Sequence, residues 1–364
     1  MTTDPDPSRP AGERPAWGVW LLHALGIVLV QGAANAVAFM LPVLARREFD
    51  ASASQTALIT AAPSVLAVLS IFWGVLIPRA SVGRYLAIFW IISGGGLLLG
   101  AATDSFWMLA LIAALGALSW AAWWPISGHL LRLFYSDSVR GRAYAVLTVA
   151  STLATAGAVS GIGLWLKHDA TAFRSYMPIA AGVQLVGCVL LALASGSRHR
   201  VPERAAPAAD AEAPSLGATL RRFVSPVLHM REILVADRVF ARYEAGFMTY
   251  GIGWMIGWAL LPLIVTDGLK MPYDAIANSA HVPGMVATVI ITPLAGWLID
   301  RKGAVRTCAA SFAIYTFWPI GLLVALLTNS QTFFVAASVV FGVAGALTNR
   351  GWMLGPVAVA PTPE

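Results

Sequence analysis

The side chains best able to do chemistry in this 364-residue chain are few and lie among apolar ones. The densest group is GWLIDRKGAVR, residues 296–306, where Asp300, Arg301, Lys302 and Arg306 surround the glycine of a short turn, Gly303, with Gly296 one turn earlier. One carboxylate among three cations suits ion pairing between elements better than catalysis. Asp300, at a helix end, is able to accept from the exposed N–H groups of another helix's N-terminus, where negative charge is favoured. Glu244 is a second candidate, the one carboxylate expected inside a long apolar run, and therefore a candidate proton carrier. The competing reading is an interfacial residue paired with Arg242 or Arg238. No G-x-S-x-G, H-E-x-x-H, phosphate loop or paired intramembrane Asp is present, so no enzymatic chemistry has its parts.

The elements that must position these groups follow from hydropathy. The chain is 58% hydrophobic and 12% charged, with a mean hydropathy of +0.73, where a soluble domain carries about 25% charged residues. Runs of about 20 apolar residues cross a ~30 Å hydrocarbon layer as helices. Ten such runs lie near 17–45, 57–78, 85–102, 106–131, 143–166, 176–195, 240–265, 276–299, 304–327 and 332–356. None alternates like a membrane β-barrel strand. The expected fold class is all-α, a polytopic membrane protein whose environment is the lipid bilayer.

The N-terminal MTTDPDPSRPAGERP is polar and Pro-rich, and the first run is long enough to be a retained span rather than a signal peptide. Cys188 and Cys308 both fall within apolar runs, which gives neither a disulfide framework nor a metal-ligand spacing. With the N-terminus cytoplasmic, the outward loops hold Arg46, Arg47, Lys167, Arg174 and Lys270. Most of the 24 Lys and Arg then lie on inward loops, as the positive-inside rule requires. The net charge of +6 reflects this topology and gives no reason to expect nucleic acid as a partner. The expected location is the cell (inner) membrane.

One long polar segment interrupts the runs. It divides the chain into 1–195 with six spans, a linker at 196–239, and 240–364 with four. The linker's first part, SRHRVPERAAPAADAEAP, has the composition of a disordered segment. Its second part starts at a plausible cap, Ser215, and sets Leu216, Leu220, Phe223, Val227 and Leu234 opposite Arg221, Arg222 and Arg231. That pattern predicts a basic amphipathic helix on the inner membrane surface.

The two sides of the linker echo each other. GVLIPRASVGR at 74–84 matches GWLIDRKGAVR in Gly, Leu, Ile and two Arg, and GALSWAAW at 116–123 matches GALTNRGW at 345–352. Matching order and topology argue for a parallel duplication. The run Gly296, Asp300, Arg301, Lys302, Gly303, in the inner loop after the second span of its half, resembles the signature loop of the major facilitator superfamily. The resemblance covers essentially the whole chain. In the first half Pro78 takes the Asp place and Ser81 the second Gly place. The chain also ends at GPVAVAPTPE, after ten spans where the family usually has twelve. A ten-span protein and a piece of a longer one both fit.

The resemblance implies a two-bundle transporter working by alternating access. By the family's pseudo-symmetry Asp300 should meet the start of the fifth run, near Arg140, Gly141 and Arg142, in a latch that breaks and reforms. The family's cavity would be lined by runs one, four, seven and ten. That nominates Gln31 and Asn35, four apart on one face; Trp120, Trp123 and Trp124; Tyr250, Trp254 and Trp258; and Asn349 and Arg350. Arg350 could bind an anionic group or reach the inner surface. The Gly157, Gly161 and Gly163 series of run five predicts close helix packing but lacks the family's antiporter signature. The expected partner is a small neutral, amphipathic or singly charged organic solute, without cofactor or metal. The alternative is a non-transporting scaffold that keeps the fold.

Overall fold

The computed structural model describes residues 17–76, 81–196, 232 and 234–359. Among them every regular element is a helix: α1 Trp17–Glu48, α2 Ala53–Leu66, α3 Ser70–Leu76, α4 Val82–Leu98, α5 Phe106–Phe134, α6 Asp137–His168 and α7 Phe173–Gly196. After the linker come α8 Arg238–Leu263, α9 Tyr273–Ile276, α10 Val282–Lys302, α11 Ala304–Tyr315, α12 Phe317–Thr328 and α13 Gln331–Val359. Polar side chains start several of these helices. Ser52 forms a capping box with Gln55, Ser81 and Ser105 accept from Arg84 and Met108 N–H groups, and Asp237 accepts from Val239 and Phe240.

Nine helical stretches among the described residues are long and apolar enough to cross a membrane. They coincide with nine of the ten expected runs. The second run is helical too, continuous from Ala53 to Leu76; its apolar helix Ala53–Leu69, shorter than the other nine, tightens into a 3-10 turn at Ala67–Leu69 before α3. Pro63 lies one turn earlier, and a proline removes one rung of the helical ladder. The amphipathic helix expected from Ser215 falls almost wholly outside the described residues, as do Pro78 and the rest of 77–80.

The outer faces of the helices carry large apolar side chains in the open, such as Ile91, Ile290 and Leu327 at 63, 66 and 77% exposure. Water would penalise this belt and hydrocarbon does not. Trp17 and Trp107, both well exposed near span ends, suit interface anchors, and Trp17 stacks on Trp20. Hydroxyls inside the spans are satisfied locally: Thr60, Thr148 and Thr155 each donate to the carbonyl four residues back.

Two buried clusters organise the interior. One draws on both sides of the linker, joining Met40, Leu44, Ala45, Ile112, Val159 and Met177 to Val265, Ile276, Ala277, Trp318 and Phe334. The other belongs to the first six spans alone and holds Ile27, Val30, Tyr85, Leu86, Trp123, Ile126, Leu130 and Leu191. The two sets of spans thus share a core at the end where α1 finishes, and that shared core does not extend to the end where α10 finishes.

Candidate functional site

Between the two sets of spans lies a cavity of about 630 Å³. α1 contributes Gln31, Asn35 and Phe39, and α5 contributes Trp120, Trp123 and Trp124. Trp254 and Trp258 come from α8, His281 from the turn before α10, and Phe341 and Asn349 from α13. Hydroxyls of Thr60, Ser93, Ser127, Tyr144, Thr148, Ser151, Thr152, Thr288 and Thr292 complete the polar lining. Among the described residues no Asp, Glu, Lys or Arg lines it.

The aromatic wall is ordered. Trp254 and Trp258 are stacked at 5.9 Å and 13°, and Trp258 stacks on Phe341 at 5.4 Å and 21°. Phe39 reaches across from α1 to meet His281 at 4.7 Å and Trp258 edge-on at 5.8 Å. Trp120 and Trp124 face them from α5, packed edge to face at 5.4 Å. Such walls offer flat apolar faces to a planar solute.

The end of the cavity near Arg46 is closed by polar contacts that join the two sets of spans. Arg46 holds Asp267 through Nε at 3.1 and 3.0 Å and through a terminal nitrogen at 2.9 Å. Arg47 donates to the Met271 carbonyl and lies over the Tyr273 ring, and Tyr273 Oη donates to Glu48 at 2.6 Å. Lys167 pairs with Asp274 at 2.8 Å, and Ser160 donates to Asn278 at 2.8 Å. Further in, Ser64 meets Met255 Sδ at 2.9 Å.

Local backbone makes these meetings possible. Two π-helical turns, Ile264–Gly268 and Ala277–His281, flank α9, and the extra residue in such a turn re-aims the side chains beyond it. Asp267 and Asn278 lie in these turns, as does His281. Of the three glycines expected to pack α6 closely, only Gly163 does so: an added Cβ would lie 2.5 Å from that of Ala277 and 3.0 Å from the Tyr273 carbonyl oxygen. Positions 157 and 161 have nothing within 4 Å.

The Asp300 end is different. Asp300, Arg301, Lys302 and Arg306 are exposed and Gly296 is half-buried. Gly303 adopts φ +84°, the conformation that its turn to α11 requires of a glycine. Arg301 lies over the Trp297 ring at 4.6 Å. Arg140 donates to the Tyr135 carbonyl and Arg142 is exposed. Ion pairs between described residues join Arg46 to Asp267 and Lys167 to Asp274, and none joins Asp300 to Arg140 or Arg142. Among the described residues no ion pair makes the expected latch.

The cavity gathers Gln31, Asn35, Trp120, Trp123, Trp124, Trp254 and Asn349. Tyr250 does not line it; its ring stacks on Phe312 at 4.2 Å and packs edge-on against Tyr315. Glu244 is half-buried near the start of α8, also outside the lining. The backbone of Arg350 is helical and its side chain lies outside the described residues. Sequence reasoning passed over Phe39, His281, Ser93 and Gln184. The one available signal was Gln184, an amide in the otherwise apolar sixth run.

A family model described as Major Facilitator Superfamily matches residues 24–363. No curated protein matches the sequence. Among solved structures, a mutant of the nucleoside transporter NupG superposes with TM-score 0.67 at 12% identity, covering 94% of this chain and 84% of that one. An inward-facing, unoccupied bacterial homolog of the human lysosomal transporter Spinster gives 0.60 at 16%, covering 94% and 75%. A D-xylose–proton symporter gives 0.55 at 15%, covering 93% and 82%. At these identities the likeness is one of fold.

Proposed function

The chain belongs to the Major Facilitator Superfamily, whose members are transporters and not enzymes, and from that premise we propose that it moves a small neutral or singly charged amphipathic solute across the cell membrane by alternating access. The observation that carries this reading is the cavity. Its walls come from both sets of spans, its lining combines tryptophans with amides and hydroxyls, and one end is closed by ion pairs while among the described residues none joins Asp300 to α6. A charge inside such a lining would be desolvated without a counterion among the described residues, a costly arrangement. A flat solute with a few polar groups gains most from it.

With the N-terminus cytoplasmic, the closed Arg46 end faces outward and the conformation is inward-facing. The bacterial Spinster homolog superposed above is described as inward-facing too. In the opposite state Asp300 would meet the start of α6, near Arg140 and Arg142, while the Arg46–Asp267 and Lys167–Asp274 pairs separate. Exchanging one set of pairs for the other keeps the two states close in energy, as a rocking transporter requires. Proton coupling with Glu244 as the carrier belongs to the same proposal, supported by its being a half-buried carboxylate within a span.

Uptake into proteoliposomes containing the full chain tests the reading. A panel of neutral and singly charged aromatic solutes should include at least one that accumulates or exchanges, with Asn35→Ala and Trp254→Ala both slowing it. Glu244→Gln should abolish accumulation driven by a pH gradient and spare exchange. Silence across the panel would leave the scaffold reading in place.

A further inference from the structure

Opening off the cavity is a small side pocket of about 30 Å³, formed between α1, α4, α5 and α7 within the first six spans. Gln31, Asn35, Ser93, Trp120 and Trp123 belong to both spaces, while Ser119 and Gln184 line the side pocket alone. A water-sized group needs roughly 10–15 Å³ of such space, so the pocket holds about two or three non-hydrogen atoms. Its polar groups are incompletely matched. Gln184 is fully buried; its Nε2 donates to Ser93 Oγ at 2.9 Å, and its Oε1 has no partner among the described residues. In this orientation the amide nitrogen is used on Ser93 and the oxygen, an acceptor, is left over. Trp123 is 2% exposed and its Nε1 also has no partner among the described residues. Ser119 is already committed to the Leu115 carbonyl.

The indole N–H can only donate, and Gln184 Oε1 can only accept. The group that satisfies both must accept from one and donate to the other within a space of about two or three heavy atoms. A carboxylate cannot donate, an ammonium cannot accept, and either would bring an unpaired charge into a buried site. An ether or ketone accepts only. We propose that this side pocket is a specificity subsite, taking a hydroxyl group of the solute between Trp123 Nε1 and Gln184, while the body of the solute lies against the tryptophans of the main cavity. The proposal rests on the reading of that cavity as a solute site. It makes Gln184, on a span outside the four expected to line the path, a specificity-determining residue. A core amide serving structure alone would be better replaced by an apolar side chain of similar volume, because a buried polar atom without a partner is destabilising.

The test uses the purified full chain in detergent, thermal stabilisation as the readout, and adenosine and uridine with their 2′-, 3′- and 5′-deoxy forms as probes. These are planar, uncharged and soluble, and their hydroxyls can be removed one at a time. Removal of one particular hydroxyl is expected to weaken the apparent Kd at least fivefold in the wild type. Gln184→Leu should bring that deoxy pair within twofold, and without probe should melt no lower than the wild type. Gln184→Met, closer to glutamine in shape, should behave the same way. The proposal is overturned if no probe stabilises the wild type or if no single hydroxyl matters. It is equally overturned if both variants melt lower without probe, or if discrimination survives in them. Uptake of the same probes reads the transport reading separately: hydroxyl-dependent binding without uptake would sink transport and keep the subsite.

Discussion

Removing the Asp267 carboxylate should let the cavity open at the Arg46 end. In the structure Arg46 grips both oxygens of Asp267 at 2.9–3.1 Å, with side-chain exposures of 32 and 45%. Exposed pairs contribute about 0.2–1 kcal/mol, and a two-oxygen grip by arginine belongs at the upper end of that range. Asp267→Ala therefore destabilises the closed end by about 1 kcal/mol, which is roughly a fivefold shift in the ratio of closed to open molecules, since 1.4 kcal/mol is tenfold. The assay is labelling of a cysteine placed in the cavity, Ala34→Cys, by a membrane-impermeant maleimide added on the Arg46 side. The background carries alanine at Cys188 and Cys308. Labelling in Asp267→Ala should rise about fivefold, and exchanging the two charges (Arg46→Asp with Asp267→Arg) should bring it back to within twofold of the parent. Unchanged labelling in Asp267→Ala, or no recovery in the swapped pair, would refute the idea that this contact holds the end shut.

Three further outcomes follow from the same geometry. Asp300→Asn should shift thermal stability in detergent by less than about 0.5 kcal/mol, because the group is exposed and unpaired with α6 here; uptake should nevertheless fall several-fold, because the state that needs the latch is lost. Trp258→Ala removes the ring that joins the stacked Trp254 and Phe341 and touches Phe39. It should weaken solute binding by about 1–3 kcal/mol, with Trp258→Phe intermediate in the same titration. Gly303→Ala forces a side chain into φ +84° and should lower unfolding stability by about 1–2 kcal/mol, read as a lower melting temperature.

How much of this was legible in the sequence depended on the range of the interactions involved. Whether a stretch spans a membrane is set by its own apolar length, so nine runs were placed correctly from composition. The remaining run is helical as well but tightens into a 3-10 turn beyond Pro63, and of that feature the sequence showed only the proline. The turn at Gly303 was equally local, because its backbone conformation excludes other residues. Gln31 and Asn35 shared a face because they are four residues apart on one helix, and both do line the cavity. Tyr250, on α8 only four residues before Trp254, turns instead into a stack with Phe312, a contact that no spacing on α8 could announce. The π-helical turns that carry Asp267, Asn278 and His281 also escaped, because an extra residue in a helical turn is stabilised by what it meets across the interface. Gln184 is the plainest case. In the sequence it is one amide among apolar residues. Only packing set it beside Ser93, 91 residues earlier in the chain, with its other end turned into a pocket shared with Trp123. The sequence alone determined the spans, their order, the charged turn and the family resemblance, since each depends on neighbours along the chain. Tertiary structure decided which end of the cavity is closed, which rings form its wall and which polar atoms remain for a solute, since each depends on groups that only folding brings within hydrogen-bonding or van der Waals reach.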